Sequence, residues 1–299
     1  MLKRTITGFF ILLVTVGFVL LREVSLLFFD AFALMIILGS VIEMALASKF
    51  SNKKIDRILI GVYPILLLCV FIFTKGELSL LLVIASLILM FLTLMTKELI
   101  VNSIKRRNPD EKVSIEEQNS NLLNETKHTL MIMAYPTTLL CLLFGINHFG
   151  LNVGYVGIIL VFAVTMLTDV FAYLFGSMLK GPKFAPEISP KKSISGMIFG
   201  AIGGMLAAGL GYLFFVKLGY VGNVFANVNQ GLTIAFFVII GVVGTFLTQF
   251  GDLVASAYKR KVGIKDFGSI FPGHGGFMDR VDGLMFTGTL IYVLFAIIF

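Results

Sequence analysis

Long apolar runs separated by short polar breaks make up almost the whole chain. The runs fall at roughly 6–21, 24–47, 58–74, 77–98, 129–147, 155–178, 194–217, 232–258 and 284–299. A helix needs about 20 mainly apolar residues to cross the hydrocarbon core of a bilayer. The pattern therefore predicts an all-α, polytopic integral membrane protein with about nine transmembrane helices.

The breaks alternate in charge. Lys3 and Arg4 precede the first run. Lys49, Lys53, Lys54 and Arg57 lie between the second and third runs. Lys105, Arg106, Arg107 and Lys112 follow the fourth, and Lys180, Lys183, Lys191 and Lys192 follow the sixth. Lys259, Arg260, Lys261, Lys265 and Arg280 precede the last. The intervening connections hold only Arg22, Lys75 and Lys217. Basic loops stay on the cytoplasmic side, so the N-terminus is expected inside and the C-terminus outside, in the cell (inner) membrane. The opening Met1-Leu2-Lys3-Arg4 imitates a signal peptide, but no small-x-small cleavage pattern follows. The first run reads as an uncleaved span. The polar insert 101–127 carries both charge signs and reads as a cytoplasmic linker. It divides the chain into N-terminal helices plus linker, 1–128 (the linker about 99–128), and a C-terminal catalytic transmembrane region, 129–299.

Composition agrees. Hydrophobic residues make up 58% of the 299 and charged residues only 14%, against about a quarter in a soluble domain. The net charge of +7 sits between apolar runs, so it points to orientation and anionic lipid, not nucleic acid. Cys69 and Cys141 lie inside apolar runs and read as small buried hydrophobes. In the seventh run Gly196, Gly200 and Gly204 recur every fourth residue, a spacing that lets helices approach closely.

The chemistry concentrates between Gly251 and Asp282. Asp252 and Ser256 are four apart and share a face if the eighth helix continues. Lys259, Arg260 and Lys261 then leave the membrane. A loop with Lys265-Asp266 and Pro272-Gly273-His274-Gly275-Gly276 leads to Asp279-Arg280-Val281-Asp282. A carboxylate inside a span is functional by default. Magnesium takes one or two carboxylates plus substrate phosphates, so Asp252, Asp279 and Asp282, with the Ser256 hydroxyl, are candidate metal ligands. Glycines at 273, 275 and 276 would let backbone amides approach phosphate oxygens. The plain alternative is a positive-inside loop with Asp counter-ions and a Pro-Gly turn. Upstream, Asp169, Tyr173 and Gly176 share a helical face, and Ser189-Pro190-Lys191-Lys192-Ser193 reads as a loop offering hydroxyls and ammonium groups. Three histidines with no adjacent cysteine make zinc a poor fit. The sequence has no Walker A pattern and no Gly-x-Gly-x-x-Gly element in a βαβ setting.

Three groups of residues, Ser256-Ala257-Tyr258-Lys259-Arg260 with Lys265-Asp266-x-Gly268, Pro272 to Gly276, and Asp279-Arg280-x-Asp282, together resemble the signature of the phosphatidate cytidylyltransferase (CDP-diacylglycerol synthase) family. Asp169-x-x-Ala172-Tyr173-x-x-Gly176 and Ser189-Pro190-x-Lys192 resemble its upstream elements. The resemblance covers about 165 to 285. Two positions depart from it: Ala255 stands where the family often has an acidic residue, and Ser193 where it often has threonine. The resemblance implies the reaction of CTP with phosphatidate to give CDP-diacylglycerol and pyrophosphate, with Mg2+ and an additional monovalent cation as candidate cofactors. It also implies Asp252, Lys259, Arg260, Lys265, Asp266, His274, Asp279 and Arg280 as catalytic. Asp169, Tyr173, Ser189, Lys192, Ser193 and Ser256 would bind substrate. Expected partners are CTP, phosphatidate and membrane lipid, with a homodimer left open. A rival class is an ion-coupled transporter, with Asp30, Glu43, Asp169 and Asp252 along an ion path. A third is a cytidylyltransferase or kinase for another lipid, such as a polyprenyl phosphate.

Overall fold

A computed structural model describes residues 2–48, 54–74, 77–107, 126–222 and 224–299. The order is α1 (Leu2–Leu21), α2 (Leu26–Ala47), α3 (Lys54–Thr74), α4 (Glu77–Arg107), α5 (Thr126–His148), α6 (Leu151–Leu179), β1 (Lys183–Ala185), β2 (Ser189–Ser193), α7 (Ile194–Lys217), α8 (Gln230–Val262), α9 (Met278–Val281) and α10 (Leu284–Ile298). Among the described residues six helices are long and apolar enough to cross a membrane: α2, the Arg57–Thr74 part of α3, α5, α6, α7 and α8. Three shorter apolar stretches, Ile6–Leu21, Leu81–Thr96 and Leu284–Ile298, fall on the remaining predicted runs. The polytopic all-helical architecture is thus the one the hydrophobic pattern predicts. Lys49, Lys53, Lys75, Lys112 and the 108–125 part of the insert lie outside the described residues.

Local chemistry sets the helix ends. Ser25 caps α2 by accepting a hydrogen bond from the Leu27 amide, and Asn229 caps α8 through the Gly231 amide. Gly263, at φ 76°, closes α8 in the left-handed conformation that glycine adopts at low cost. One expected loop is regular. Residues 183–193 form a small antiparallel hairpin pairing Lys183 with Ser193 and Ala185 with Ser189. Two prolines and a charge run hid its period.

The glycines of α7 do what their spacing implies. Gly196 packs against Gly176 of α6, where an added Cβ would lie 3.3 Å from the Gly176 Cα. A Cβ at Gly203 would come within 2.6 Å of the Leu167 carbonyl oxygen. The neighbour there is backbone and cannot swing away. Gly203→Val is expected to destabilise the protein by about 1–3 kcal/mol, read as a lower melting temperature in detergent. A value equal to the parent's would refute the close α6–α7 contact.

The bundle has two polar ends. At one, Arg22 is 1% exposed. Its guanidinium donates to Asn147 Oδ1 (2.5 Å) and to the carbonyls of Leu151 (2.7 Å), Asn147 (3.0 Å) and Gly150 (3.2 Å). Asn147 Nδ2 donates to Asp30 Oδ1 at 2.8 Å, and Asp30 Oδ2 lies 2.9 Å from His148 Nε2. Burial lowers the Arg22 guanidinium to about 10, with Asp30 opposing. These bonds tie the α1–α2 turn to the α5–α6 turn. The opposite end gathers the start of α1, the end of α2, the hairpin and the loop 263–283. A Cβ at Gly8 of α1 would lie 3.4 Å from His274 Nε2 in that loop.

Candidate functional site

The site is assembled from three segments that meet at this second end. The hairpin delivers Lys192, whose Nζ lies 2.7 Å from Asp252 Oδ2 on α8 and donates to the Gln249 carbonyl at 3.1 Å. Ser256, one turn along the same face, donates to Asp252 Oδ1 at 3.4 Å. The spacing of Asp252 and Ser256 therefore does place both oxygens together, because α8 continues through Val262.

The third segment carries Asp282, between α9 and α10. Its carboxyl is held well above the usual carboxylate range, first by burial, then by the carboxylates of Asp252 and Asp169, with Lys259 and Arg280 opposing. Asp169, Asp252 and Asp282 thus share one electrostatic neighbourhood, drawn from α6, α8 and the entry to α10. One buried hydroxyl lies in the same region. Tyr135 of α5 is within electrostatic reach of Asp282 and Asp252. Its hydroxyl has no hydrogen-bond partner among the described residues. Among the described residues no three His, Cys, Asp or Glu side chains already converge as a metal cage.

Asp279 has a different set of partners from Asp252. Its Oδ1 pairs with Lys259 Nζ at 2.7 Å, and its Oδ2 accepts from the amides of Phe267 (2.8 Å) and Gly276 (3.0 Å). Both partners of the ion pair are largely buried, 12% exposed for the Lys259 side chain and 4% for that of Asp279. Lys259 also lies over the Phe267 ring, 5.3 Å from its centroid. Asp279 therefore organises the loop, holding one strand of it to the other. Gly273 and Gly275 turn it at φ 77° and 81°, and a Cβ at Gly275 would come within 2.6 Å of Asp279 Oδ2.

The other expected residues take varied places. Arg260 is exposed and donates to the Ile188 carbonyl at 3.2 Å, tying α8 to the hairpin. Lys265, Asp266 and Arg280 are exposed. Ser193 is buried as the N-cap of α7, accepting from the Gly196 amide at 3.1 Å and bonded to Ser195 Oγ at 3.0 Å. Ser189 is half-buried in β2, and Tyr173 is exposed on α6. His274 lies beside α1. Of the residues set on an ion path, Asp30 belongs to the far end of the bundle, roughly 20 Å along α2 from Glu43.

Glu43, which motif reasoning left without a role, also reaches this loop. Its Oε1 accepts from the Phe277 amide at 3.0 Å and its Oε2 from the Met278 amide at 2.9 Å. Its only sequence signal is a carboxylate within an apolar run, one turn from a basic connection.

The model of the Cytidylyltransferase family matches residues 2–298. A phosphatidate cytidylyltransferase of Brucella abortus biovar 1 (strain 9-941) is 41% identical over 144 residues, 48% of this chain and 48% of that protein. Those of Staphylococcus haemolyticus (strain JCSC1435) and Staphylococcus aureus (strain COL) are 40% and 39% identical over 137 residues, 46% of this chain and 48% of each relative. The alignments thus span about half the length of the curated relatives.

Proposed function

Because the chain belongs to the cytidylyltransferase family, we propose that it transfers a cytidylyl group from CTP to phosphatidate, at the cytoplasmic face of the membrane. The observation that carries this reading is the meeting of Lys192, Asp252 and Asp282 at one end of the bundle, from three separate segments. That end also receives the basic hairpin and the basic loop, which supports a cytoplasmic placement.

In the reaction an oxygen of the lipid phosphate attacks the α-phosphorus of CTP. The bond from that phosphorus to the β-bridging oxygen breaks, and pyrophosphate leaves with the electron pair. A phosphate monoester is already anionic near neutral pH, so positioning and charge neutralisation supply the rate enhancement. Lys192, Arg260, Lys265 and Arg280 surround the end of the bundle and suit the phosphates. The acidic neighbourhood fits a hard divalent ion, since it offers oxygen donors, excess negative charge and the buried, unpartnered Tyr135 hydroxyl. Magnesium would be held by Asp252 and Asp282, with Ser256 beside them, and would supply charge neutralisation of the triphosphate. Asp169 adds negative charge to the same group. Lys259 and Asp279 act on the loop that carries Arg280 and Asp282.

Purified protein with radiolabelled CTP, phosphatidate micelles and a divalent cation is expected to give a labelled lipid and pyrophosphate. Neither should form without the cation. Cysteines introduced in 180–193 should react only when the inner face is exposed. Label that stays water-soluble, or ion flux in sealed vesicles without nucleotide turnover, would overturn the reading in favour of a transporter.

A further inference from the structure

Glu43 stands outside every motif discussed above, yet it touches the segment on which the site depends. It is 4% exposed. Both carboxylate oxygens are used, one on each of two successive amides, Phe277 and Met278, immediately before Asp279. A carboxylate presents an acceptor to each amide at once, which no neutral side chain of that size does. The surroundings are shaped to let it in. A Cβ at Gly268 or at Gly276 would collide with the Glu43 carboxylate, and a Cβ at Gly39, one turn earlier on α2, would overlap the Phe277 ring. Gly276 is held from both sides. Its amide donates to Asp279 Oδ2, while its α-carbon faces Glu43.

Resting on the cytidylyltransferase reading above, we infer that Glu43 is a positioning residue for the reaction. From α2 it clamps the Phe277–Met278 backbone and so fixes where Asp279 meets Lys259 and where Asp282 meets the acidic group. The short helix α9 runs from Met278 to Val281, directly between the clamp and Asp282. A shift of the clamped amides therefore moves Asp282 relative to Asp252 without breaking any contact to substrate. Small displacements of that kind lower the rate of the chemical step more than they weaken binding.

Glu43→Gln tests this in the full-length, detergent-purified protein. Glutamine keeps the shape but turns an NH2 group toward one of the two amides, leaving that amide without an acceptor. Expected results are faster hydrogen exchange confined to the 275–280 amides and a kcat lower by about tenfold to a hundredfold. KM for CTP should stay within about threefold, and the melting temperature should fall by no more than about a few degrees, the cost of one unpartnered amide. Glu43→Ala should exaggerate the exchange and the kcat loss in the same order. Parental exchange or parental kcat in Glu43→Gln would overturn the inference. So would faster exchange throughout the bundle with a matching fall in melting temperature, since that describes a merely structural residue. A parent protein that forms no labelled lipid would sink the cytidylyltransferase reading instead, while the exchange pattern of Glu43→Gln would still decide whether the clamp exists.

Discussion

Asp252→Asn is expected to lower CTP-dependent lipid product formation by at least about a thousandfold at saturating magnesium, with no loss of thermal stability. The argument starts from its neighbours. Asparagine keeps one oxygen for the Lys192 ammonium, and its NH2 group donates to the Ser256 hydroxyl oxygen once that hydroxyl turns, so the local contacts at 2.7 Å and 3.4 Å have a substitute. What disappears is one negative charge. Removing a charged ligand from an ion that neutralises a triphosphate costs several kcal/mol of transition-state stabilisation, and each 1.36 kcal/mol is about tenfold in rate. Before any cation binds, the same change relieves the mutual repulsion of Asp252 and Asp282, so the melting temperature in chelator should match or exceed the parent's. A near-parental rate across a magnesium titration would mean that the site works mainly through its Lys and Arg residues. Lys261→Ala is the control. Lys261 is exposed at the end of α8, and its loss should cost less than about tenfold.

Asp279→Asn is expected to match that loss of activity by a different route, and stability separates the two. Asp279 is buried against Lys259 and receives two loop amides. Breaking a buried ion pair from one side leaves an uncompensated charge and costs about 3–5 kcal/mol. The variant should therefore melt earlier than the parent, exchange its 267–280 amides faster, and lose product formation by about a thousandfold or more. If Asp279→Asn instead behaves like Asp252→Asn, inactive but with an unchanged melting temperature, then Asp279 belongs with the cation ligands and the loop is held by other contacts.

The fold was legible in the sequence to the extent that lipid dictates it. Each apolar run had to become a helix, because a spanning backbone satisfies its own amides only that way. The small hairpin escaped for the opposite reason: Lys183–Ser193 lies outside the apolar runs, and Pro186 and Pro190 interrupt any alternation. The geometry of the candidate site was legible where residue type and spacing act together, as for Asp252 with Ser256 on one helical face. It was less so for Asp279, whose contacts to the Lys259 ammonium and to the Phe267 and Gly276 amides leave no mark in the spacing. Glu43 was legible merely as an unexplained charge in a span. Its partners are backbone amides, which have no residue type to recognise. Arg22, in sequence one of few positive charges on the far side, is a buried tie between two helix turns that stayed hidden for the same reason, since three of its four acceptors are backbone carbonyls.

The contact between α2 and the last loop also has a consequence for biogenesis. The Met278 amide that satisfies Glu43 lies 235 residues further along the chain. At a synthesis rate of about 5–20 residues per second, the carboxylate waits on the order of tens of seconds for its partner to be made. Throughout that interval α2 is already a hydrophobic helix with an unsatisfied acid near one end. Water at the headgroups is its available solvent until the loop arrives, so α2 must first rest with Glu43 level with the interface. It settles into the bundle only after residue 278 has been made. A nascent chain halted before residue 277 therefore holds the α2 carboxylate without the two amides that receive it.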